Sequence, residues 1–207
     1  VINKFLMVLS ALCLIGCSAC NPDLKSPDDT ESDSEVSVNE SDIHGGSPVT
    51  EKWEDCGGDI GEHPCDFTFV DQYGDMFQLY DNYGTVMVLD FSAMWCSVCN
   101  NIAHDAQVFM DSYGDQGFLW VTVLIDDSQG NPPSEEDIQT WADIYGIDDA
   151  PVLAADRSII DLTASNGFPI SSWPTIVIVD RKMVTTNGIH GWNESTVTSW
   201  VEAQLAN

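Results

Sequence analysis

Among the seven cysteines of this 207-residue chain, Cys96 and Cys99 have the spacing of a working dithiol. Sulfurs three residues apart fall within one helical turn and can close or open a disulfide with each other. The flanking sequence supplies a setting for that chemistry. Thr85-Val-Met-Val-Leu-Asp-Phe, just ahead, is a β-branched apolar run of the kind buried on both faces of a sheet. After the pair, Ile102, Ala106 and Phe109 or Met110 recur at helical spacing as far as about Tyr113, and Gly114 follows. A cysteine placed where a strand turns into a helix meets unpaired N–H groups and a dipole that favour the thiolate. Cys96 therefore reads as the attacking sulfur and Cys99 as its partner, with thiol–disulfide exchange as the reaction class.

A sheet has to carry those sulfurs. Phe67-Thr-Phe-Val, the turn Asp71-Gln-Tyr-Gly-Asp and Met76-Phe-Gln-Leu predict a hairpin ahead of the motif. Gly117 to Ile125 reads as another buried strand. Ser134-Glu-Glu-Asp then opens a helix with a hydroxyl cap and acids in its first turn, and Ile138, Trp141 and Ile144 or Tyr145 mark its apolar side. Pro151 to Ala155 is a short strand. Pro174 to Asp180 pairs with Met183-Val-Thr-Thr through the turn Asp180-Arg-Lys, and Asn193 caps a last helix through Val197, Trp200, Val201 and Leu205. Strands alternating with helices in the middle of this order imply an α/β fold. Its central mixed sheet is expected to have helices on both faces and an N-terminal hairpin extension.

The chain ahead of the hairpin has a different character. Residues 1–16 read as a lipoprotein signal peptide: Lys4 is basic, and Phe5 to Ile15 is almost unbroken apolar sequence. Eleven helical residues reach about 16 Å, roughly half of a ~30 Å hydrocarbon core, too little to span it. Leu14-Ile15-Gly16-Cys17 looks like a bacterial lipobox with Cys17 as the lipidated residue; Cys20 is a weaker acceptor because Cys17, not an aliphatic residue, stands three positions before it. Residues 17–52 are rich in Ser, Asp, Glu and Pro and read as an acidic disordered tether. They contain no Asp-x-Asp-x-Asp-Gly loop with a closing Glu, so they are read as solvated and not as a calcium site. Residues 53–207 form the folded domain. With 6 Lys and Arg against 34 Asp and Glu, the formal charge of −28 excludes nucleic acid as a partner. It also leaves no basic patch for anionic lipid, so membrane contact is expected through the lipid anchor alone.

Three stretches within about residues 64 to 205 carry a family resemblance: Pro64-Cys-Asp-Phe-Thr-Phe, Val88-Leu-Asp-Phe-Ser-Ala-Met-Trp-Cys-Ser-Val-Cys and Trp173-Pro174-Thr175. They resemble the thioredoxin superfamily, and within it the TlpA/ResA-type exported thiol–disulfide oxidoreductases. The resemblance implies a thioredoxin-like fold, no cofactor, and a cis Pro174 lying against the dithiol, where it would keep metal ions from the cysteines. It also implies a substrate groove lined by Trp95, Trp173, Pro174 and Thr175, with the Trp173 backbone offered to an extended chain. Asp90, six residues before Cys96, matches the family's buried acid that passes protons to the second cysteine. Three departures matter. Ser97-Val98 stands between the cysteines, and that dipeptide tunes the reduction potential and with it the direction of electron flow. His104 occupies a position that is often Pro and reads as a surface residue. No basic residue lies between Lys52 and Arg157, so a buried Asp90 is expected to keep its proton near neutral pH.

Cleavage before Cys17 would remove Cys13. Cys56 and Cys65 flank Gly57-Gly58-Asp-Ile-Gly61, and in an exported protein they are expected to form a structural disulfide, with a second redox relay to Cys96 as the alternative. Zinc lacks the ligand spacing and a second Cys/His pair, and Cys20 is left as a tether thiol. The sequence therefore predicts a monomeric, membrane-tethered thiol–disulfide oxidoreductase of the bacterial cell envelope, facing periplasm or exterior. Its partners would be exported protein thiols and disulfides and a further redox protein. Three other readings compete. A peroxiredoxin-like thiol peroxidase would want Pro and Thr where Leu89 and Ala93 stand. A copper chaperone of the same fold would want a wider cysteine spacing and a distant His. The last is a structural module with an inert Cys96–Cys99 bond.

Overall fold

The structure is a computed structural model that describes Trp53 and residues 55–207. The expected signal and tether, with Cys17 and Cys20, lie outside the described residues. Two apolar strands make the centre of the sheet. Every residue of β3 (Val86–Ala93) is buried, and in β4 (Phe118–Asp126) only Leu119 is partly exposed. Strands this apolar require cover on both faces, and they pair in parallel, as such strands usually do. The remaining strands are β5 (Val152–Ala154), parallel to β4, then β6 (Thr175–Val179), antiparallel to β3, and β7 (Thr185–His190), antiparallel to β6. The order across the sheet is β5-β4-β3-β6-β7. Ahead of it, β1 (Thr68–Val70) and β2 (Met76–Gln78) form a separate antiparallel hairpin that meets β5 through a bridge between Asp71 and Leu153. The expected mixed sheet, flanked by helices and preceded by a hairpin, is the one observed.

The four α-helices among the described residues are α1 (Ser97–Ile102), α2 (Asp105–Tyr113), α3 (Glu135–Tyr145) and α4 (Glu194–Leu205). The expectation that they cover both faces needs correction. Ile102, Phe109, Trp141 and Val201, one from each helix, belong to a single cluster with Val86, Val88, Trp120, Leu124 and Ile176 of the sheet. Met87, Leu89, Phe91, Val121 and Val123 point the other way, against Leu79, Ile159 and Phe168 and the hairpin aromatics Phe67, Phe69 and Phe77. The physical reason lies in the strand order. The parallel steps β3 to β4 and β4 to β5 move in the same direction across the sheet, and right-handed crossovers then put their helices on the same face. Two short 3-10 turns, Leu79–Asn82 and Arg157–Ile159, serve the opposite face together with loops.

Two elements end where the sequence pattern did not place their limits. The helix read from Cys99 to Tyr113 is two helices, because at Ala103–His104 the ladder tightens and the Ala106 N–H bonds to the Ala103 carbonyl. Strand β7 continues past Thr186 to His190, pairs in step with β6 from Asn187 onward after a register shift at Thr186, and sets His190 opposite Thr175. The caps are as the sequence requires. Ser134 and Asp137 exchange bonds in a capping box at α3, and Asn193 accepts the Thr196 N–H at 3.0 Å at α4.

Candidate active site

The reactive segment is placed by the end of β3. An irregularity between Ser92 and Ala93 shifts the register so that Ala93 pairs with Asp126, and the Met94 N–H donates to the Asp126 carbonyl at 2.9 Å. The chain then turns, and Cys96 becomes the N-cap of α1, with extended backbone and its Sγ accepting the Cys99 N–H at 3.2 Å. Cys96 and Cys99 are joined as a disulfide, Cα to Cα 5.3 Å. Cys99 is wholly buried and Cys96 is 6% exposed, so Cys96 is the sulfur that an incoming thiol or disulfide meets first. The Asn100 amide holds the turn from inside, donating to the Met94 carbonyl at 2.9 Å and the Cys96 carbonyl at 2.7 Å, and it accepts from the Tyr145 hydroxyl of α3.

Asp90 lies on β3 in step with Val88 and Ser92, on the face where α1 packs, and is almost wholly buried. The Ser92 hydroxyl donates to its Oδ1 at 2.7 Å. Burial pushes its pKa up from 3.8 to about 7; the Ser92 bond pulls it down, the Asp105 carboxylate pushes it up, and the Trp120 indole lowers it. The Trp120 Nε1 makes no hydrogen bond of good geometry, and neither does the Thr122 hydroxyl on the strand residue paired with Asp90, so the indole's influence is that of a nearby dipole. Among the described residues no cation acts on the Asp90 carboxyl.

Around the dithiol runs an apolar rim. Trp95 and Val98 are 48% and 43% exposed, and Trp95 meets Trp173 edge to face at 6.4 Å. The Trp173–Pro174 peptide is cis. Pro174 is buried and its carbonyl accepts the Gly191 N–H at 2.7 Å, whereas the Trp173 backbone makes no hydrogen bond among the described residues. The Thr175 hydroxyl bonds the Ser172 carbonyl at 2.8 Å and meets His190 Nδ1 at 2.9 Å. The structure thus gathers Trp95, Cys96, Cys99, Trp173, Pro174 and Thr175 at one end of the sheet, with Asp90 below. His104 is exposed and 3.3 Å from Asp105.

Cys56 and Cys65 are bonded to each other, Cα to Cα 4.8 Å. Their loop is stitched to the start of β7, where Gly61 N–H donates to the Thr185 carbonyl at 2.7 Å and Thr185 N–H to Glu62 at 2.9 Å. It is also seated on the chain at Gly167, because a Cβ on Gly58 would come within 2.2 Å of the Gly167 carbonyl oxygen. Sequence reasoning missed three side chains of the site. Asn100 is one. The others are Asp126, buried at the end of β4, and Arg157, which donates to Asp126 through Nε at 3.0 Å and through Nη2, while the Trp95 indole N–H donates to the same carboxylate at 3.1 Å. Their signal is faint: an acid closing an apolar strand, and the first basic residue after a long gap.

A family model described as the AhpC/TSA family matches residues 60–186. The thioredoxin-like protein YneN of Bacillus subtilis is 25% identical over 124 residues, 60% of this chain and 67% of that one. Among solved structures, a proposed thiol:disulfide interchange protein DsbE from Chlorobium tepidum superimposes with a TM-score of 0.59 at 22% identity, covering 72% of this chain and 99% of its own. At that identity the likeness shows a shared fold. The exposed lipoprotein thioredoxin of Streptococcus pneumoniae has a TM-score of 0.54 at 25% identity and covers 67% of this chain and 99% of its own.

Proposed function

This thioredoxin-like oxidoreductase belongs to the AhpC/TSA family, and we propose that it exchanges disulfides with exported proteins while tethered to the cell envelope through Cys17. The observation that carries the exchange is the Cys96–Cys99 disulfide at the start of α1, with the more accessible Cys96 directly after the exposed Trp95 and with Asp90 buried on the β3 face against which α1 packs. In the reducing direction the Cys96 thiolate attacks one sulfur of a substrate disulfide, and the other sulfur leaves as a thiolate that takes up a proton. Cys99 gives its proton to ionised Asp90 and attacks Cys96 Sγ. The internal disulfide forms and the second substrate sulfur departs with a proton. The oxidising direction is the same path reversed. Asp90, Cys96 and Cys99 are the catalytic residues of this reading. Trp95, Trp173, Pro174 and Thr175 form the substrate groove, and the free backbone of Trp173 suits an extended chain. Cys56–Cys65 acts as a structural clasp.

The tether rests on the lipobox-like Leu14-Ile15-Gly16-Cys17 and finds support in the similarity to an exposed lipoprotein thioredoxin. The partners are exported proteins and a separate redox donor or acceptor. In the full chain carrying Cys99→Ser, resolution is blocked, so mixed disulfides with exported proteins should accumulate in the membrane fraction. Wild-type protein should reduce insulin with dithiothreitol as donor and show negligible turnover of hydrogen peroxide. Failure to form adducts removes the exchange reading; adducts found only outside the membrane fraction remove the tether.

A further inference from the structure

Asp126 and Arg157 have no part in the mechanism above, yet Asp126 is hydrogen-bonded to Met94 and Trp95 of the active-site segment and Arg157 is bonded to Asp126. Asp126 closes β4, and its side chain is 1% exposed. Its two carboxylate oxygens accept three bonds: Nε of Arg157 at 3.0 Å, Nη2 of Arg157 at 2.5 Å, and the Trp95 indole N–H at 3.1 Å. Its backbone carbonyl receives the Met94 N–H. The Asp126 carboxylate is therefore fixed beside the residue that precedes Cys96. A fork of this kind holds a carboxylate in one plane, which a point charge does not. The Arg157 side chain is 61% exposed.

We propose that Arg157 is a positioning residue for thiol–disulfide exchange: by clamping the buried Asp126 carboxylate it fixes the Trp95 indole beside Cys96 and cancels a negative charge that would oppose the Cys96 thiolate. The proposal rests on the exchange reading. Its force comes from the charge balance around the dithiol. The titratable groups there are Asp90 on β3, Cys99 on α1, His104 and Asp105 at the α1–α2 break, Asp126 on β4, Arg157, His190 on β7 through Thr175, and Glu194 at the start of α4, which acts on Asp105. Only Arg157 carries a permanent positive charge. The other basic side chains among the described residues, Arg181 and Lys182, lie in the turn at the far end of β6, where Arg181 donates to the carbonyls of Gln116 and Gln204. Without Arg157, a buried carboxylate hydrogen-bonded to the motif would have no counter-charge. Such a group near a thiol disfavours the thiolate.

The test follows the rate of Cys96 alkylation by iodoacetamide against pH, in the full chain carrying Cys99→Ser so that one active-site thiol reports. Arg157→Ala should raise the midpoint by about one pH unit and shift the Trp95 indole resonance, whereas Arg157→Lys should restore most of the midpoint and less of the indole position. Asp126→Asn alone should lower the midpoint, and in that background Arg157→Ala should change it little. An unchanged midpoint in Arg157→Ala, or an equal rise with and without Asp126, would overturn the proposal. Should Arg157→Ala fail to fold, Asp126→Asn decides by itself: a midpoint that stays where it is in the wild type refutes the electrostatic role. Alkylation needs no protein substrate, so inertness toward insulin would sink the exchange reading and leave these results interpretable.

Discussion

At the scale of single residues, Asp90 makes the sharpest prediction. Its carboxyl is buried without a cation and its pKa is raised from 3.8 to about 7. The folded chain therefore keeps a proton that the unfolded chain releases above pH ~4. Between roughly pH 4 and 7 the native state binds more protons, so the stabilisation is complete below that window and is lost as pH rises through it. A rise from 3.8 to about 7 corresponds to about 4 kcal/mol. Asp105, also raised, slopes the same way, while Asp127 and Asp161, both lowered, act below about pH 4. Urea unfolding of the oxidised protein should show stability falling from pH 5 to pH 8, and Asp90→Asn should remove most of that fall. In the reduced protein the same substitution should slow resolution by Cys99 and flatten its pH dependence. An unaltered profile would deny Asp90 the proton. Asp90 was legible in the sequence because it lies in the apolar strand that leads into the motif, six residues before Cys96, where the family resemblance implies a buried acid. Asp126 and Arg157 were not: they stand 31 residues apart, and only the parallel pairing of β3 with β4 brings the first of them to Trp95. Asn100 was hidden likewise, since its partner Tyr145 is 45 residues away.

At the scale of elements, most strands and helices announced themselves by periodicity, and the exceptions have local causes. The break at Ala103–His104 carries neither Pro nor Gly, so nothing in the residue types marks it. The far half of β7, Asn187-Gly188-Ile189-His190, is weak as a strand by composition and is held by pairing with β6. The face occupied by the helices follows from strand order, which residue patterns do not reveal. The Cys56–Cys65 loop is an element whose role is measurable. It closes a short ring, joins the start of β7 to the hairpin side, and lies away from the Cys96 turn in the hydrogen-bond network. Replacing both cysteines by Ser should cost about 2–3 kcal/mol through the freed unfolded chain while insulin reduction at 25 °C stays near wild type. A loss of turnover out of proportion to the loss of stability would assign the pair a redox role instead.

At the scale of the whole molecule, charge is the dominant property. The sequence sums to −28, with 34 acids against 6 bases. Among the described residues the ion pairs are Arg157–Asp126, buried on the acid's side, and the exposed His104–Asp105 contact. Screening therefore has much repulsion to relieve and little attraction to weaken. Raising ionic strength from 0.1 M to 1 M shortens the Debye length from about 10 Å to about 3 Å, which should raise the melting temperature of the domain monotonically with NaCl, and with KCl alike. Only the Asp126 side of its pair with Arg157 is buried, and its direct hydrogen bonds to Arg157 and Trp95 are short-range, so alkylation of Cys96 should respond to salt less than the melting temperature does. The same field bears on partners. An acidic protein disulfide approaches against repulsion, a basic one is drawn in, and the difference in their exchange rates should collapse between 0.05 M and 1 M salt. Equal rates for acidic and basic model disulfides at low salt would show that the charge serves solubility alone and leaves selection to the Trp95–Trp173 rim.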